Sequence, residues 1–218
     1  RRHTRLQGDW SSDVCSSDLP SSTQEGVDGW LTTESQERYP VRGGIPRFID
    51  DGFADSFGFQ WNRFEVRQPA EDEETFALKV GVSPQTLRGL RVLDAGCGGG
   101  RYARIAAEQG ARVVAVDRSR AVEKARELVG PGRDVRFLQA DLNALPLAPA
   151  SFDLVYSIGV LHHSPDARAA FAAAARMVRP GGRLSVWLYR RNCRWQEWIN
   201  DRLRRRAAGM ERGKLLAW

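Results

Sequence analysis

Residues 92–103 read VLDAGCGGGRYA, and this stretch decides the fold. An apolar run ends at Asp94-Ala95, four glycines follow within residues 96–100, and helix-forming residues begin at Arg101. A glycine loop between a strand and a helix leaves bare backbone at a helix N-terminus, where a ligand can approach closely. The stretch therefore predicts a buried strand, a ligand-binding loop and a helix, in that order.

Strand-like and helix-like segments alternate from this stretch to residue 189. The strand-like runs are 90–96, 112–117, 135–141, 152–160 and 183–189. Such alternation predicts right-handed βαβ units and therefore an α/β fold with a mainly parallel sheet.

The helix boundaries follow from capping residues. Gly110 ends the first predicted helix, and Ser119 caps a second that runs through Leu128. Ser164 caps a third, with Pro165 at its first position, and this helix extends to Val178. We expect Pro180-Gly181-Gly182 to break it before the fifth strand. Further upstream, Ser83-Pro84 and Gly89 are expected to begin and end a helix that leads into the sheet.

Polar side chains stand at the ends of the predicted strands. Asp117 ends the second strand 21 residues after Gly96, Asp141 ends the third, and Ser157 lies near the end of the fourth. An acidic residue placed like Asp117 can accept hydrogen bonds from both hydroxyls of a ribose. Because open α/β sheets bind ligands at the carboxyl ends of their strands, these residues predict a nucleoside site.

The residues around the glycine loop discriminate between nucleotides. A dinucleotide fingerprint needs glycine or alanine where Arg101 stands, and the Asp94 carboxylate would repel a pyrophosphate. The same carboxylate would attract an ammonium group. S-adenosylmethionine carries an ammonium, a ribose and an adenine but no phosphate, so it fits this site best. A dinucleotide-dependent oxidoreductase is the disfavoured alternative.

Residues 52–190 resemble the class I S-adenosylmethionine-dependent methyltransferases, in particular the methyltransferase type-11 kind. The resemblance rests on six motifs that occur in the family's order: ADSFGFQWNRF, VLDAGCGGGRYA, VVAVDRS, VRFLQADLNALPL, SFDLVYSIGVLHHSPD and RPGGRLSVWLY. It implies a Rossmann-like, doubly wound sheet with strand order 3-2-1-4-5 and an enzyme that transfers a methyl group from S-adenosylmethionine. The family has seven strands, and we expect the last two to be missing after residue 190.

The resemblance also implies a set of cofactor-binding residues. Asp94, Gly96 and Gly98 would hold the methionine part, Asp117 the ribose, and Asp141 and Leu142 would flank the adenine. The remaining predicted cofactor neighbours are Cys97, Arg118, Ser157 and Ile158, together with Gln60 and Trp61 in the segment that covers the cofactor.

Histidine is the candidate general base, because methyl transfer to a hydroxyl or a protonated amine requires removal of a proton. His162 and His163 follow the fourth strand, and His163 is the stronger candidate of the two; the alternative is that one of them hydrogen-bonds to the backbone and fixes the loop. Cys97 has no apparent base partner and is interpreted as a packing residue. Tyr102 is expected to pack on its helix. Arg101 either neutralises a cofactor or substrate carboxylate or is solvated, and we favour the second.

The segments outside the core are assigned as follows. Residues 9–19 read DWSSDVCSSDL, which back-translates to a sequencing adapter, so residues 1–19 are interpreted as an artefact or a disordered leader. Residues 20–50 form a small β segment that resembles a zinc ribbon, but Thr32 and Ser35 stand where ligands would, so no metal is expected. Residues 51–89 form a helical cover, 90–190 the cofactor-binding domain, and 191–218 a basic helix or tail.

Composition narrows the function classes. The 218 residues are 42% hydrophobic and 28% charged, as in an ordinary globular domain. No apolar run is long enough to span a bilayer and no signal peptide is evident, so we expect a cytoplasmic protein with no membrane partner. The net charge of +6 comes from residues 190–218, since residues 1–19 and 20–189 are each neutral, which disfavours nucleic acid as a partner.

Three functions remain open at this point. We favour methyl transfer to a small-molecule acceptor. An RNA or protein methyltransferase is supported only by the basic tail, and a truncated fragment without catalysis is supported by the expected loss of two strands. The sequence does not identify the acceptor atom or the oligomeric state.

Overall fold

The computed structural model describes residues 28–32, 38–49 and 69–189, together with Arg202. The chain divides into two compact units, Arg1–Leu188 and Tyr189–Trp218. The first unit contains both β-sheets described below. The predicted cover residues Gln60 and Trp61 lie outside the described residues. So does the stretch after residue 190 in which we expect strands six and seven to be missing.

The first elements that the structure describes are three short antiparallel strands: β1 (Gly29–Thr32), β2 (Arg38–Arg42) and β3 (Ile45–Pro46). Gly43 and Gly44 turn the chain between β2 and β3 with φ of +56° and +71°, a left-handed conformation that glycine adopts without steric cost. This sheet confirms the predicted small β segment. Residues 28–32 and 38–49 are called the N-terminal β unit below.

Five parallel strands form the second sheet: β4 (Arg91–Ala95), β5 (Arg112–Asp117), β6 (Val135–Gln139), β7 (Phe152–Ile158) and β8 (Val178–Trp187). Their spatial order is β6-β5-β4-β7-β8, which is 3-2-1-4-5 along the chain and confirms the prediction. Successive strands move away from β4 on one side, and β7 then returns on the other. The carboxyl end of β4 is therefore the switch point at which such sheets bind ligands.

Within residues 69–189, four α-helices cover the parallel sheet: α1 (Pro69–Val80), α2 (Arg101–Glu108), α3 (Ala121–Val129) and α4 (Ala167–Met177). Helices α1 to α3 share one apolar cluster with the sheet, and α4 shares the cluster on the opposite face. Burial on both faces explains why the strands are nearly continuous apolar runs. No described helix is long and apolar enough to cross a membrane.

Two predicted helix caps are wrong. The N-cap of α3 is Arg120; the Ser119 hydroxyl, one residue earlier, accepts a 3.2 Å hydrogen bond from the amide of Ala121. Helix α4 is capped by Asp166, whose carboxylate accepts from the Ala169 amide at 2.9 Å, and not by Ser164. An ionised carboxylate forms the stronger, charge-assisted bond to a helix N-terminus, which explains why the aspartate caps this helix.

Two boundaries also differ from the prediction. The helix upstream of the sheet is α1, which ends at Val80, whereas Ser83-Pro84 begins only a 3-10 turn, Pro84–Leu87. Strand β8 begins at Val178, directly after α4, so Pro180-Gly181-Gly182 lies inside the strand. The register against β7 shifts between Phe152 and Leu154, an irregularity that accommodates a proline within a strand.

Candidate functional site

The glycine loop, residues 96–100, joins the carboxyl end of β4 to the first turn of α2. Gly96 has φ of +100°, and a Cβ placed there would collide with the side chain of Val160. Gly100 has φ of +84°, and a Cβ there would lie 2.6 Å from the Cα of Ala125 on α3. The loop therefore needs glycine for its backbone conformation and for its close approach to neighbouring residues.

Asp94 lies on β4 at the base of this loop, and only 2% of it is exposed. Its Oδ2 accepts a 3.0 Å hydrogen bond from the Tyr156 hydroxyl on β7, the one hydrogen bond that the described residues give it. Burial raises the pKa of the Asp94 carboxyl to about 8; the Tyr156 hydrogen bond lowers it, and the charge of Asp117 raises it further. At neutral pH this carboxyl holds its proton unless a positive group is beside it.

Asp117, the last residue of β5, has different surroundings. Its carboxylate accepts hydrogen bonds from the Gly98 amide at 2.8 Å, the Ser119 amide at 2.8 Å and the Ser119 hydroxyl at 2.7 Å. These donors fix its orientation at the carboxyl edge of the sheet and connect it to the glycine loop. A carboxylate has about four acceptor positions, so one remains for a further donor.

The end of β6 brings the predicted adenine neighbours together. Asp141 Oδ1 accepts from the amide of Asn143 at 2.9 Å, and Oδ2 lies 3.6 Å from Nη1 of Arg118. Leu142 follows and is buried at the start of a 3-10 turn, Leu142–Ala144. Arg118 comes directly after Asp117, so this ion pair joins the carboxyl ends of β5 and β6.

Of three other predicted neighbours, Ser157 and Cys97 are buried and Ile158 is partly buried. The Ser157 hydroxyl donates a 2.7 Å hydrogen bond to the carbonyl oxygen of Ala95, so it connects β7 to β4. Ile158 is partly buried against the cluster beneath α1 and α2. Burial raises the pKa of the Cys97 thiol well above its usual value, which agrees with a packing role rather than a thiolate nucleophile.

His162 and His163 lie in a short turn, Leu161–His163, that follows β7. Their ring centroids are 4.1 Å apart. His163 is exposed and its backbone amide donates to the carbonyl oxygen of Val160 at 2.8 Å. Burial, and then the neighbouring His163, lower the pKa of His162. Of the two residues, His163 is the more accessible to solvent.

A charged cluster beside the loop escaped the sequence analysis. Buried Asp72 on α1 forms an ion pair with Arg101, with 3.2 Å between Oδ1 and Nη1. Nη2 of Arg101 and Nζ of Lys79 both donate to the Tyr102 hydroxyl, at 2.6 and 3.4 Å. Nζ of Lys79 also lies 4.1 Å from the centroid of the Trp187 ring. The expectation that Arg101 is solvated is therefore wrong, because α1 supplies its partner.

The signal for this cluster is the helical period of α1. Asp72 lies four residues before buried Phe76, which lies four before buried Val80, so the three share the inward face. That spacing selects Asp72 from the acidic run at residues 71–74. The packing role expected for Tyr102 is confirmed, since its ring is buried with its centroid 5.9 Å from that of Phe76.

The chain is similar in sequence to a known family of domains and to several curated proteins. Residues 93–186 match the family model described as a methyltransferase domain. The ubiquinone biosynthesis O-methyltransferase of Xylella fastidiosa (strain M23) is 35% identical over 139 residues, which cover 62% of this chain and 56% of that protein. The cycloartenol-C-24-methyltransferase of Arabidopsis thaliana is 32% identical over 142 residues, covering 62% and 41%. The chain thus spans about half the length of the curated relatives it matches.

Among solved structures, a chain of the complex between the Haloferax volcanii Trm112 methyltransferase activator and a methyltransferase has a similar fold. The TM-score is 0.52 at 23% identity, over 69% of this chain and 68% of that one. This likeness concerns the fold alone. The match to the methyltransferase-domain model falls on the parallel sheet that carries the glycine loop, which is the part of the chain that holds the candidate site.

Proposed function

We propose that this chain binds S-adenosylmethionine at the carboxyl edge of its parallel sheet and transfers the methyl group to a small-molecule acceptor. The observation that carries the proposal is Asp94. A buried carboxyl with a pKa of about 8 beside a glycine loop ionises readily only when a positive group is adjacent. The ammonium of the methionine part supplies such a group, and a pyrophosphate does not.

The other residues at this edge fit the rest of the cofactor. Asp117 is held in place by three donors and can accept one further hydrogen bond, from a ribose hydroxyl. Arg118, Asp141 and Leu142 would surround the adenine, and the backbone of Gly96 and Gly98 would lie against the methionine part. Cys97, Ser157 and Ile158 would form the buried wall, and Gln60 and Trp61 remain the predicted cover.

When bound, the cofactor would supply a methyl group on its sulfonium sulfur: the acceptor atom would bond to the methyl carbon as the carbon–sulfur bond breaks, and S-adenosylhomocysteine would leave. The protein contributes mainly by holding the acceptor in line with that methyl group. We assign His163 as the base that accepts the acceptor's proton on an imidazole nitrogen, because it is exposed beside the carboxyl end of β7. Replacing it by His163→Gln should lower kcat by about 100-fold with an unchanged cofactor Kd. Unchanged turnover would contradict this role.

A hydroxyl is the acceptor group that we favour. The Xylella relative is named an O-methyltransferase, whereas the more distant Arabidopsis relative carries a name that places the methyl group on carbon. A hydroxyl acceptor needs a base, which agrees with the proposed role of His163. Catechol is a suitable first probe, with transfer RNA and bulk protein as the competing acceptor classes.

Calorimetric titration of the full chain with S-adenosylmethionine and S-adenosylhomocysteine tests the proposal. We expect saturable binding that Asp94→Asn weakens by about 100-fold or more. Asp153→Asn is the matched control, because Asp153 lies at the opposite end of β7 and pairs with Arg179 at 2.7 Å. Methyl transfer from labelled S-adenosylmethionine should then favour catechol over transfer RNA. A folded protein that binds neither ligand would contradict the proposed function.

A further inference from the structure

A buried chain of polar groups joins the N-terminal β unit to the end of β5. Nη1 of Arg47 donates a 2.6 Å hydrogen bond to Oε1 of Gln139, and Nε2 of Gln139 donates a 3.1 Å bond to the carbonyl oxygen of Arg118. Arg47 and Gln139 are each only 4% exposed. We call this series of contacts the Arg47 relay. It ends on the residue that directly follows Asp117.

Arg47 is anchored on several elements at once. Its backbone forms a parallel bridge with Gln139, next to a 2.8 Å bond from the Phe48 amide to the Gln139 carbonyl oxygen. Its Nη2 lies 2.8 Å from Oε1 of Glu123 on α3. The N-terminal β unit therefore contacts the free side of β6 through both backbone and side chain.

The relay determines the orientation of the Gln139 amide. An arginine side chain has only donors, so it must face the oxygen of the amide and not its nitrogen. The nitrogen is thereby directed at the carbonyl oxygen of Arg118. Burying a guanidinium is costly unless it is fully paired, and apolar residues of similar volume would dock two sheets as well. Apolar contacts would suffice to hold the two sheets together, whereas the polar relay also fixes the position of the Arg118 carbonyl oxygen.

Three contacts hold the backbone and side chains at the end of β5. The Ala140 amide bonds to the carbonyl oxygen of Asp117 at 3.1 Å, the relay holds the next carbonyl oxygen, and the Arg118 side chain reaches Asp141. We propose that Arg47 and Gln139 are positioning residues, through which the N-terminal β unit fixes the adenosine end of the cofactor site. This inference rests on the proposed function, since it assigns that end of the site to adenosine.

The substitution Gln139→Glu in the full chain removes one of the two hydrogen bonds of the relay and keeps the other. A glutamate still accepts from Arg47 but no longer donates to the carbonyl oxygen of Arg118. We expect both S-adenosylhomocysteine and 5′-methylthioadenosine, which lacks the amino-acid part, to bind about 5- to 30-fold more weakly and by the same factor. Asp94→Asn should instead weaken only S-adenosylhomocysteine.

Phe137→Leu is the matched control, because Phe137 is buried two residues earlier on β6 and is not part of the relay. It should lower the free energy of unfolding and leave both Kd values unchanged. If Gln139→Glu does not fold, Arg47→Lys provides the test. Lysine keeps the positive charge but cannot contact Gln139 and Glu123 through two separate nitrogens, so both ligands should bind more weakly by the same factor. Unchanged Kd values in a folded relay variant overturn the inference. Wild-type protein that binds neither ligand overturns the proposed function itself.

Discussion

Asp94 and Asp117 are the same residue type on two adjacent strands, yet the fold treats them differently. Asp94 is buried within β4, and among the described residues only Tyr156 on the adjacent strand β7 donates to it. Asp117 stands at the open edge of the sheet and accepts three hydrogen bonds from the protein. One carboxyl is desolvated and has no positive partner within the described part of the chain, while the other is held in place and partly exposed to water.

The difference shows how one side chain can select two kinds of ligand group. A desolvated carboxyl discriminates strongly for a cation, because only a charge can offset its loss of hydration. A carboxylate that already has several donors discriminates by direction, because the acceptor position that remains is fixed in orientation and suits a neutral donor such as a ribose hydroxyl. Environment, rather than residue identity, separates the roles of paired carboxyl groups.

The largest expected effect tests the cation-selective side of this comparison. Asp94→Asn should weaken S-adenosylhomocysteine by about 100-fold or more, since removing one partner of a buried ion pair costs about 3–5 kcal/mol. Binding of 5′-methylthioadenosine, which has no ammonium, should be unchanged. Both Kd values can be measured by calorimetry at pH 7. Equal weakening of the two ligands would show that Asp94 does not contact the ammonium.

A smaller effect concerns pH. The pKa of Asp94 is about 8 in the folded protein and near its ordinary value of 3.8 in the unfolded chain, so the folded state binds the extra proton between them. Stability should therefore fall as pH rises from about 4 to about 8, by at most about 1.4 kcal/mol per pH unit from this group.

Urea denaturation of wild type and Asp94→Asn at pH 5.5, 7 and 8.5 measures this dependence. The variant removes the titrating group and should show a flatter profile than wild type. Saturating S-adenosylhomocysteine should flatten the wild-type profile as well, because the ammonium favours the ionised carboxylate. Parallel profiles for the two proteins would mean that Asp94 is ionised in the absence of ligand.

The smallest effect tests the hydroxyl-selective side. Asp117→Asn keeps one acceptor oxygen but places an amide nitrogen against the donors from Gly98 and Ser119. We expect S-adenosylhomocysteine and 5′-methylthioadenosine to weaken alike, by about fivefold, which is the effect of one net hydrogen bond. Asp134→Asn at the far end of the same strand pair provides the control, as its contact with Arg112 is exposed. A selective loss of S-adenosylhomocysteine would reverse the assignment of the two ends.

The sequence predicted the parallel sheet well because its signals are local. Apolar runs of strand length, glycines at their ends and helix-forming segments between them repeat through residues 90–189, and βαβ geometry then restricts the topology. The helix caps were less predictable. Ser164 and Asp166 are both good cap residues two positions apart, and pattern alone did not decide between them.

Some contacts of the site residues could not be predicted from neighbouring sequence either. The acidic residues at the strand ends could be predicted because they follow apolar runs, and the structure places them at one edge of the sheet. The partner of Arg101 could not be read from its neighbours, because Asp72 lies on a helix that precedes the sheet. Ser119 was expected to cap a helix, yet its hydroxyl also donates to Asp117, a use that depends on the shape of the loop.

The sequence by itself determined the order of elements, the glycine loop and the presence of carboxyl groups at the strand ends. Each of these depends on residues within a few positions of one another. Only the tertiary structure decided the environment of each carboxyl, since Tyr156 reaches Asp94 from 62 residues away. It also decided the Arg47 relay, whose first bond spans 92 residues. Burial and long-range pairing set the charge state and orientation of these groups, and neither property is encoded in local periodicity.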